Sequence, residues 1–436
     1  MKYLSTRKAS APVTFHDALF HGLAPDGGLY IPERFPLLSN ESITSLQDLS
    51  LFQLSEMMLS EYLSEIPVLE LNSIIARSLT FPIPLINLEE HLFLLEVFHG
   101  PTLAFKDVGA RFMANMLAYF LQKRDEQLTI LVATSGDTGS AIAHAFHNIP
   151  RVEVYVLYPA KKISLLQEQQ MTTLGDNIHA LEVMGTFDDC QSLVKTALMD
   201  DEIKTLRQLS TANSINIARL LPQIIYHSWG MVQLRQAGVS LAPNLTVPSG
   251  NFGNLTAAIY ASKMGIPVHH FIAATNINAI VPEYLATGKF VPESSRQSYS
   301  NAMDVGNPSN FERLLALYND KHETMQRAVS GFSITDEQTL DEIRRTYERK
   351  NYILDPHTAV GVAAAREYSR RNPEDESPMM VTATAHPAKF PDVIKRAIGI
   401  DIELPEQLQA AMQRQKESVQ ISLDYNEFKK MLLGKG

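Results

Sequence analysis

The sequence has little of what several protein classes require. It contains one cysteine, Cys190, which excludes an internal disulfide and any metal site built from several thiolates. It has 38 basic residues against 48 acidic ones, a net charge of −10, which argues against a basic face for nucleic acid or an anionic membrane. No apolar run follows the basic residues near the start, so a secretory signal is not expected. The uncharged stretch 236–262 is broken by prolines, glycines and asparagines, which excludes a membrane span. We therefore expect a cytoplasmic protein with no metal, nucleic-acid or membrane partner.

The composition that is present is that of a folded protein of several domains. Hydrophobic residues make up 45% of the 436 residues, enough to bury a sizeable core, and a domain size of roughly 150 residues predicts two to three domains. A turn-rich start precedes apolar residues at helical spacing around 51–62. The prolines in 81–84 favour a stiff, extended segment. We place the end of a first domain at residue 84.

Beyond that segment, apolar runs alternate with amphipathic ones. The runs 128–133, 152–158, 245–247, 268–273 and 379–382 predict buried strands, and 140–147, 164–174, 254–263 and 358–368 predict helices. Thr335 and Gln338 have the spacing of a capping box that opens a further helix. This alternation predicts an α/β fold with open parallel sheets that are covered by helices on both faces.

In such folds, ligands bind in the loops that follow strands, and one loop is suited to phosphate. Residues 249–254 join an apolar strand to an apolar helix and contain Gly250 and Gly253. Glycines let the backbone approach a ligand, and the helix start offers free N–H groups to a phosphate dianion. An ordinary strand-to-helix turn would have the same pattern.

Two other loops carry reactive or polar side chains. Residues 133–140 combine hydroxyls, Asp137 and two glycines, which suits a carboxylate ligand or a capped helix start equally well. In the loop 97–107, Lys106 lies between Phe105 and Asp107, which we expect to be a helix N-cap. Apolar neighbours and a helix start disfavour an ammonium, and a neutral lysine amine is what Schiff-base chemistry needs. A solvated surface lysine is the alternative.

Two further segments and the single cysteine give weaker indications of a functional role. Residues 213–219 open a helix with an amide, a hydroxyl and a guanidinium, which is typical of an anion clamp or of a capped helix with a surface arginine. Residues 381–390 follow a strand with hydroxyls and a proline. Cys190 follows Asp188 and Asp189, whose charge would raise the pKa of its thiol, so we interpret it as structural.

Taken together, these motifs resemble the threonine synthase family of fold-type II pyridoxal-phosphate enzymes. The segment 99–107 resembles the family's Schiff-base lysine motif, and 134–139, 249–254 and 383–390 are similar to its other motifs in order and spacing. Segments 3–7 and 26–30 resemble its N-terminal unit. The resemblance covers nearly the whole chain. It implies a mainly helical N-terminal domain (1–84), a catalytic region of two α/β subdomains with a cleft between them (85–395), and a C-terminal extension packed on that region (396–436).

The resemblance also implies roles for individual residues. Lys106 would bind pyridoxal 5'-phosphate as a Schiff base, and Thr384 would hydrogen-bond its pyridine nitrogen. The cofactor phosphate would be bound by Gly250, Asn251, Phe252, Gly253 and Asn254. Asp137 falls beside the ring's phenolic oxygen, where many relatives have asparagine and where an ionised carboxylate would repel a phenolate. Ser135 and Thr138 would bind the substrate carboxylate, and the substrate phosphate would be bound by Asn213, Ser214, Arg219 and Lys162.

The implied reaction converts O-phospho-L-homoserine and water to L-threonine and phosphate by γ-elimination and β-addition. A threonine or serine dehydratase of the same fold type is one alternative, and a catalytically silent relative that binds the cofactor or a phosphate is another. We expect no N-terminal regulatory extension of the kind found in plant relatives, and an unregulated monomer or weak homodimer.

Overall fold

The computed structural model describes residues 1–122 and 126–434, and this part of the chain forms thirteen strands and twenty α-helices. The strands are β1 Tyr3–Ser5, β2 Tyr30–Pro32, β3 Leu85–Glu89, β4 Leu92–Glu96, β5 Leu128–Ala133, β6 Val152–Pro159, β7 Ile178–Val183, β8 Gln208–Thr211, β9 Asn244–Pro248, β10 His270–Thr275, β11 Val329–Ser333, β12 Met379–Ala383 and β13 Val419–Ile421. The first ten helices are α1 Phe15–His21, α2 Asn40–Thr44, α3 Leu51–Leu59, α4 Val68–Ser78, α5 Lys106–Leu121, α6 Asp137–Phe146, α7 Leu165–Thr172, α8 Phe187–Met199, α9 Asp201–Leu206 and α10 Ile217–Leu220. The others are α11 Gln223–Gln236, α12 Gly253–Lys263, α13 Ile280–Thr287, α14 Phe311–Leu317, α15 His322–Ala328, α16 Asp336–Lys350, α17 Pro356–Arg371, α18 Pro391–Ile398, α19 Glu406–Met412 and α20 Tyr425–Leu432. Short 3-10 helices span Leu46–Asp48, Asn301–Met303 and Pro387–Lys389.

Two sheets carry the fold. The larger has the order β11-β10-β9-β12-β4-β3, in which only the edge strand β3 runs antiparallel to its neighbour. The smaller has the order β13-β7-β6-β5-β8, and its pairs are all parallel. Every residue of β4, β5, β9 and β12 is buried, as expected for parallel strands that are covered by helices on both faces. The predicted α/β class with open, mostly parallel sheets is confirmed.

Both ends of the chain are integrated into the structure, although β1 and β2 pair with each other in a separate two-stranded sheet. Tyr3 and Phe15 belong to the same buried cluster as Val108 and Phe112 of α5, so the N-terminal part shares its core with the larger body. Near the other end, β13 pairs with β7 and becomes an edge strand of the smaller sheet. The limits proposed for the three domains stay a prediction, and residues 435–436 of the last one lie outside the described residues.

Most predicted elements form where the apolar periodicity indicated them. Strand β5 has the predicted bounds, α12 begins one residue earlier than expected, and the Thr335–Gln338 capping box opens α16. Cys190 is fully buried in α8, and burial, aided by the charge of Asp189, raises the pKa of its thiol to about 12, in agreement with a structural role.

Candidate active site

Lys106 is the first residue of α5, and the loop before it is hydrogen-bonded to the segment that follows β12. The Phe105 N–H donates to the Thr384 carbonyl at 2.8 Å, and the His386 N–H donates to the Leu103 carbonyl at 3.0 Å. Because β4 and β12 are parallel neighbours, their carboxyl ends meet at one edge of the larger sheet. These bonds bring Lys106 and Thr384, which lie far apart in sequence, to the same place.

The surroundings of Lys106 disfavour its charged form. Its side chain is 14% exposed, and its Nζ lies 5.0 Å from the centre of the Phe105 ring. Burial lowers the pKa of Lys106, and the positive charges of Lys389 and Arg219 act in the same direction, while Asp137, 3.6 Å from Nζ, opposes them. The predicted depression of this pKa is confirmed, with burial as its largest cause.

The expectation that Asp107 caps α5 is wrong. The residue at the cap is Phe105, which makes no side-chain cap hydrogen bond, and Asp107 lies inside the first turn. Its carboxylate instead accepts from the Thr102 N–H at 2.9 Å and the Thr102 hydroxyl at 2.7 Å. The loop turns back over the helix start and offers these donors, so the carboxylate fixes the loop. Burial raises the pKa of Asp107 to about 6.

The turn 249–254 is organised by Asn254. Its Oδ1 accepts from the Ser249 hydroxyl at 3.0 Å, and its Nδ2 donates to the Pro248 carbonyl at 2.7 Å. Phe252 precedes α12 in the left-handed conformation (φ 61°) and makes no side-chain cap bond. A Cβ on Gly250 would lie 2.7 Å from the Cα of Met303, so only glycine fits there. An uncapped helix start of this kind suits a phosphate group.

Thr384 provides the clearest sign of a missing partner. Its hydroxyl oxygen is buried and has no hydrogen-bond partner among the described residues. Leaving such a group unsatisfied is costly, and a buried hydroxyl of this kind is normally bonded. Thr384 lines the same cavity as Lys106 and the 249–254 turn. The ring nitrogen of pyridoxal phosphate in this cavity would therefore provide the hydrogen-bond partner of the Thr384 hydroxyl. The residues present therefore fit that cofactor.

Helix α6 begins at Asp137, three residues earlier than predicted. The Thr134 hydroxyl accepts from the N–H groups of Gly136 and Gly139 at 3.0 and 2.8 Å, which satisfies amides of the helix start. Ser135 and Thr138, in the same segment, line the cavity. Burial would raise the pKa of Asp137, but the ammonium groups of Lys389 and Lys106 outweigh it and hold the pKa well below its usual range.

A second set of polar side chains lies in the loop between β8 and α10 and in α10 itself. The Asn213 side chain is bonded to the backbone of Ala133, donating to its carbonyl at 2.8 Å and accepting from its N–H at 3.3 Å. The Ser214 hydroxyl accepts from Asn251 Nδ2 at 2.7 Å, which links this group to the 249–254 turn. Arg219 is 3% exposed, and its Nε is buried without a partner among the described residues. Burial lowers the pKa of Arg219 to about 10, and one of its terminal nitrogens donates to the Ala212 carbonyl.

One cavity collects nearly all of the predicted site residues. It is lined by Lys106, Ser135, Asp137, Thr138, Asn213, Ser214, Arg219, Gly250, Asn251, Phe252, Gly253, Asn254 and Thr384. Lys162 does not line it: this residue is exposed, and its charge acts on Asp189 of α8.

Sequence reasoning missed two groups beside this cavity. His357 lines it, with its Nδ1 2.9 Å from Asp355 Oδ1 and its Nε2 accepting from the Ala302 N–H at 3.2 Å. Lys389 is fully buried, with its Nζ 2.8 Å from Asp137 Oδ1. The only indication of Lys389 in the sequence is that it lies among apolar residues, in the segment that also contains Thr384. No local pattern indicates that its partner is Asp137.

Within residues 1–122 and 126–434, none of the helices combines the length and the apolar character that a membrane span requires. In the same residues, histidine, cysteine and acidic side chains do not form a group of three or more that could hold a metal ion.

Comparisons with known proteins agree along the whole chain. Residues 78–384 match the family model "Pyridoxal-phosphate dependent enzyme", residues 2–79 match "Threonine synthase N terminus", and residues 358–432 match "Threonine synthase, C-terminal". The threonine synthases of Escherichia coli K12 and Haemophilus influenzae are each 39% identical over 434 residues, which are 99% of this chain and 99% and 100% of theirs.

Solved structures give the same result. The crystal structure of the Escherichia coli threonine synthase superposes with a TM-score of 0.93 over 100% of both chains. The pyridoxal-phosphate-bound threonine synthase from Brucella melitensis, 36% identical, superposes with a TM-score of 0.92 over 100% of this chain and 99% of its own. The fold and the cavity define a fold-type II enzyme that depends on pyridoxal 5'-phosphate. Within that class, the chain belongs to the threonine synthase family.

Proposed function

We propose that this chain converts O-phospho-L-homoserine and water to L-threonine and phosphate. The observation that carries the proposal is a single cavity in which a buried lysine adjoins two separate groups suited to anions, the 249–254 turn and the pair Ser214 and Arg219. One group suits the phosphate of the cofactor, and the other suits a substrate that brings its own phosphate. The names of the relatives, which are 39% identical over nearly the full chain, support the same reaction.

The residues that would hold the cofactor follow from the contacts of the cavity. Lys106 Nζ would bind its aldehyde carbon, and the backbone N–H groups of 250–253, supported by Asn254, would bind its phosphate. The Thr384 hydroxyl, which has no other partner among the described residues, would bond the pyridine nitrogen. A hydroxyl at that position leaves the ring nitrogen largely unprotonated.

Proton transfer falls to Lys106. When bound, the cofactor supplies an electron sink that is conjugated with the substrate Cα. Lys106, as a neutral amine, would take a proton from Cα, pass it to the conjugated system, and then, neutral again, take one from Cβ; it would later return one proton to Cγ and one to Cα. Phosphate would leave Cγ with the electrons of its C–O bond, the oxygen of water would add to Cβ, and the proton that water releases would end on the phosphate. The lowered pKa of Lys106 favours the neutral amine over the ammonium.

The remaining polar side chains orient the substrate. The hydroxyls of Ser135 and Thr138 would bind its carboxylate. The planar guanidinium of Arg219 and the Ser214 hydroxyl would bind its phosphate and stabilise that group as it leaves. Asn213, which lines the cavity, is a further predicted contact to this phosphate, whereas Lys162 is exposed outside the cavity and is not included.

The variant Lys106→Ala tests the proposal directly. We expect it to abolish threonine formation and the visible absorption of the Schiff base, because no other lysine of the described residues lines the cavity. Phosphate release and absorbance are the measurements, and the exposed Lys289→Ala is the matched control, which should retain both. A Lys106→Ala enzyme that still makes threonine would refute the assignment.

The choice of substrate separates this reaction from that of a dehydratase. The wild-type protein should release phosphate from O-phospho-L-homoserine without producing ammonia and a keto acid in equal amounts. Ammonia and keto acid formed from threonine or serine at the higher rate would favour the dehydratase. A colourless protein that stays colourless with added pyridoxal phosphate would favour a silent relative.

The domain limits and the monomer or weak homodimer expected from the sequence also stay proposals. Light scattering of the purified protein measures the mass in solution and tests the second of them.

A further inference from the structure

Lys389 has an unusual position for a lysine. It ends the 3-10 helix Pro387–Lys389, and its side chain is 0% exposed. Its Nζ lies 2.8 Å from Asp137 Oδ1 and donates to the Thr102 carbonyl at 2.8 Å. It therefore joins the segment after β12 to the start of α6 and to the loop before Lys106. A fully buried ammonium requires a counter-charge, and Asp137 supplies it.

The two oxygens of the Asp137 carboxylate have different partners. Oδ1 accepts from Gln167 Nε2 at 3.0 Å in addition to its contact with Lys389. Oδ2 faces Lys106 Nζ at the longer distance of 3.6 Å. The closer ion pair of Asp137 is thus with Lys389, and Lys106 is its second, looser partner.

This arrangement matters because Lys106 must give up its proton to work as an amine. A buried carboxylate paired with Lys106 alone would stabilise the ammonium and hold the proton. With Lys389 present, part of the negative charge is compensated, and a second ammonium repels a proton on Lys106. Among the described residues, the charges that act on Lys106 are those of Asp137, Lys389 and Arg219. His357, in α17, acts on Asp137, and Lys389 also acts on Asp107, which follows Lys106 in α5.

We propose that Lys389 is a positioning residue that acts through Asp137: it holds the Asp137 carboxylate as its own counter-ion and so leaves Lys106 free to lose its proton. The inference rests on the proposed function, in which Lys106 works as a neutral amine. Lys389 does not line the cavity described above. It acts on Lys106 through the Asp137 carboxylate, which lies between the two ammonium groups.

The test measures the ionisation of Lys106 in the cofactor-free full-length protein, without reference to turnover. Trace acylation with acetic anhydride across a pH series, followed by peptide mass spectrometry, gives the apparent pKa of Lys106. Lys389→Met removes the charge and keeps an unbranched side chain. We expect it to raise the apparent pKa of Lys106 by about one unit, which is about a tenfold lower acylation rate at a fixed pH below that value. The acylation profile of the exposed Lys289 should not change.

A double variant distinguishes charge from packing. Asp137→Asn combined with Lys389→Met removes both charges together, and it should return the Lys106 profile towards that of the wild type. A structural role for Lys389 would instead leave the double variant as perturbed as Lys389→Met. If Lys389→Met does not fold, Lys389→Gln retains a donor for Asp137 and Thr102 without the charge, and the same upward shift is expected.

The proposal is overturned if a folded Lys389→Met or Lys389→Gln protein, checked by circular dichroism, shows the wild-type Lys106 profile. It is also overturned if the double variant restores nothing. Failure of the proposed reaction would appear separately, as a wild-type protein that releases no phosphate from O-phospho-L-homoserine while the acylation profiles still shift.

Discussion

The Thr384 hydroxyl is buried and has no hydrogen-bond partner among the described residues, which predicts different effects of one substitution on stability and on cofactor binding. In Thr384→Val, a methyl group replaces this hydroxyl, so the cofactor-free protein should melt no lower than the wild type. A lost hydrogen bond of about 0.5–1.5 kcal/mol should raise the Kd of pyridoxal phosphate about 2- to 12-fold. Thermal melts and absorbance titrations measure the two effects.

The chain contains a matched control for this substitution. Thr382 lies in β12, and its hydroxyl is also buried without a partner among the described residues, but it does not line the cavity. Thr382→Val should therefore leave the Kd of the cofactor unchanged. Equal effects of the two variants on that Kd would show that the Thr384 hydroxyl does not bond the ring.

Arg219 and the 249–254 turn both suit phosphate, and one substitution separates them. Arg219→Met keeps much of the buried side-chain volume and removes the guanidinium. The loss of charge-assisted hydrogen bonds of about 1.5–3 kcal/mol should lower kcat/KM for O-phospho-L-homoserine about 10- to 150-fold. Steady-state phosphate release measures this, and the exposed Arg34→Met is the control. Loss of the cofactor spectrum in Arg219→Met would mean that Arg219 binds the other phosphate.

At the scale of elements, the shape of the 249–254 turn depends on its contact with the 3-10 helix Asn301–Met303. A Cβ on Gly250 would lie 2.7 Å from Met303 Cα and 3.0 Å from the Ala302 carbonyl, and backbone atoms cannot move aside cheaply. Overpacking of about 1–3 kcal/mol should make Gly250→Ala bind pyridoxal phosphate about 5- to 150-fold more weakly. Equilibrium dialysis against the cofactor measures the change.

Gly238 is the control for that substitution. Its φ is +82° and a Cβ there would meet nothing within 4 Å, so Gly238→Ala carries the backbone strain alone. It should lower the melting temperature and leave cofactor binding unchanged. Unchanged cofactor binding in Gly250→Ala would show that the contact with Met303 does not shape the phosphate site.

Elements whose signal is local could be predicted from the sequence, and those that depend on distant partners could not. The apolar run of β5 and the Thr335–Gln338 capping box need only their own residues, and both were confirmed. Asp107 was predicted to cap α5 because its position fits that pattern, but the Thr102 donors bind its carboxylate instead. The contact of Lys389 with Asp137 joins two segments that only the folded sheets bring together, so no spacing in the sequence predicts it.

At the scale of the whole molecule, the cavity lies between the larger sheet and the smaller sheet. Lys106 and Thr384 follow strands of the larger sheet, and Ser135 and Asn213 follow strands of the smaller one. Arg313, which is fully buried, donates to the carbonyls of Tyr30 in β2 and Ile215 near the cavity, so β2 is tied to the loop that carries Ser214. A substitution that loosens the packing of either sheet or of β2 should therefore also disturb the active site.

Acid should lower the free energy of unfolding of the whole molecule through His227. This histidine is buried, its Nε2 donates to the Asn254 carbonyl at 3.0 Å, and its Nδ1 has no partner among the described residues. Burial lowers the pKa of His227 to about 3, against about 6.5 in an unfolded chain. The folded state thus keeps it neutral, and the unfolded state takes up a proton as the pH falls below 6.5. Its contribution to the free energy of unfolding is present above pH 6.5 and is lost at about 1.4 kcal/mol per pH unit down to pH 3.

The variant His227→Gln tests this, because glutamine retains a donor for the Asn254 carbonyl and does not titrate. Denaturant unfolding of the cofactor-free protein between pH 7.5 and pH 5 should show a smaller loss of stability with acid in His227→Gln than in the wild type, whatever the difference at pH 7.5. The exposed His91→Gln should retain the wild-type slope. Parallel slopes for the wild type and His227→Gln would exclude His227 as the acid-sensitive group. A reduced slope would mean that His227, which the folded chain keeps neutral beside the Asn254 carbonyl, takes up its proton on unfolding and so accounts for part of the loss of stability in acid.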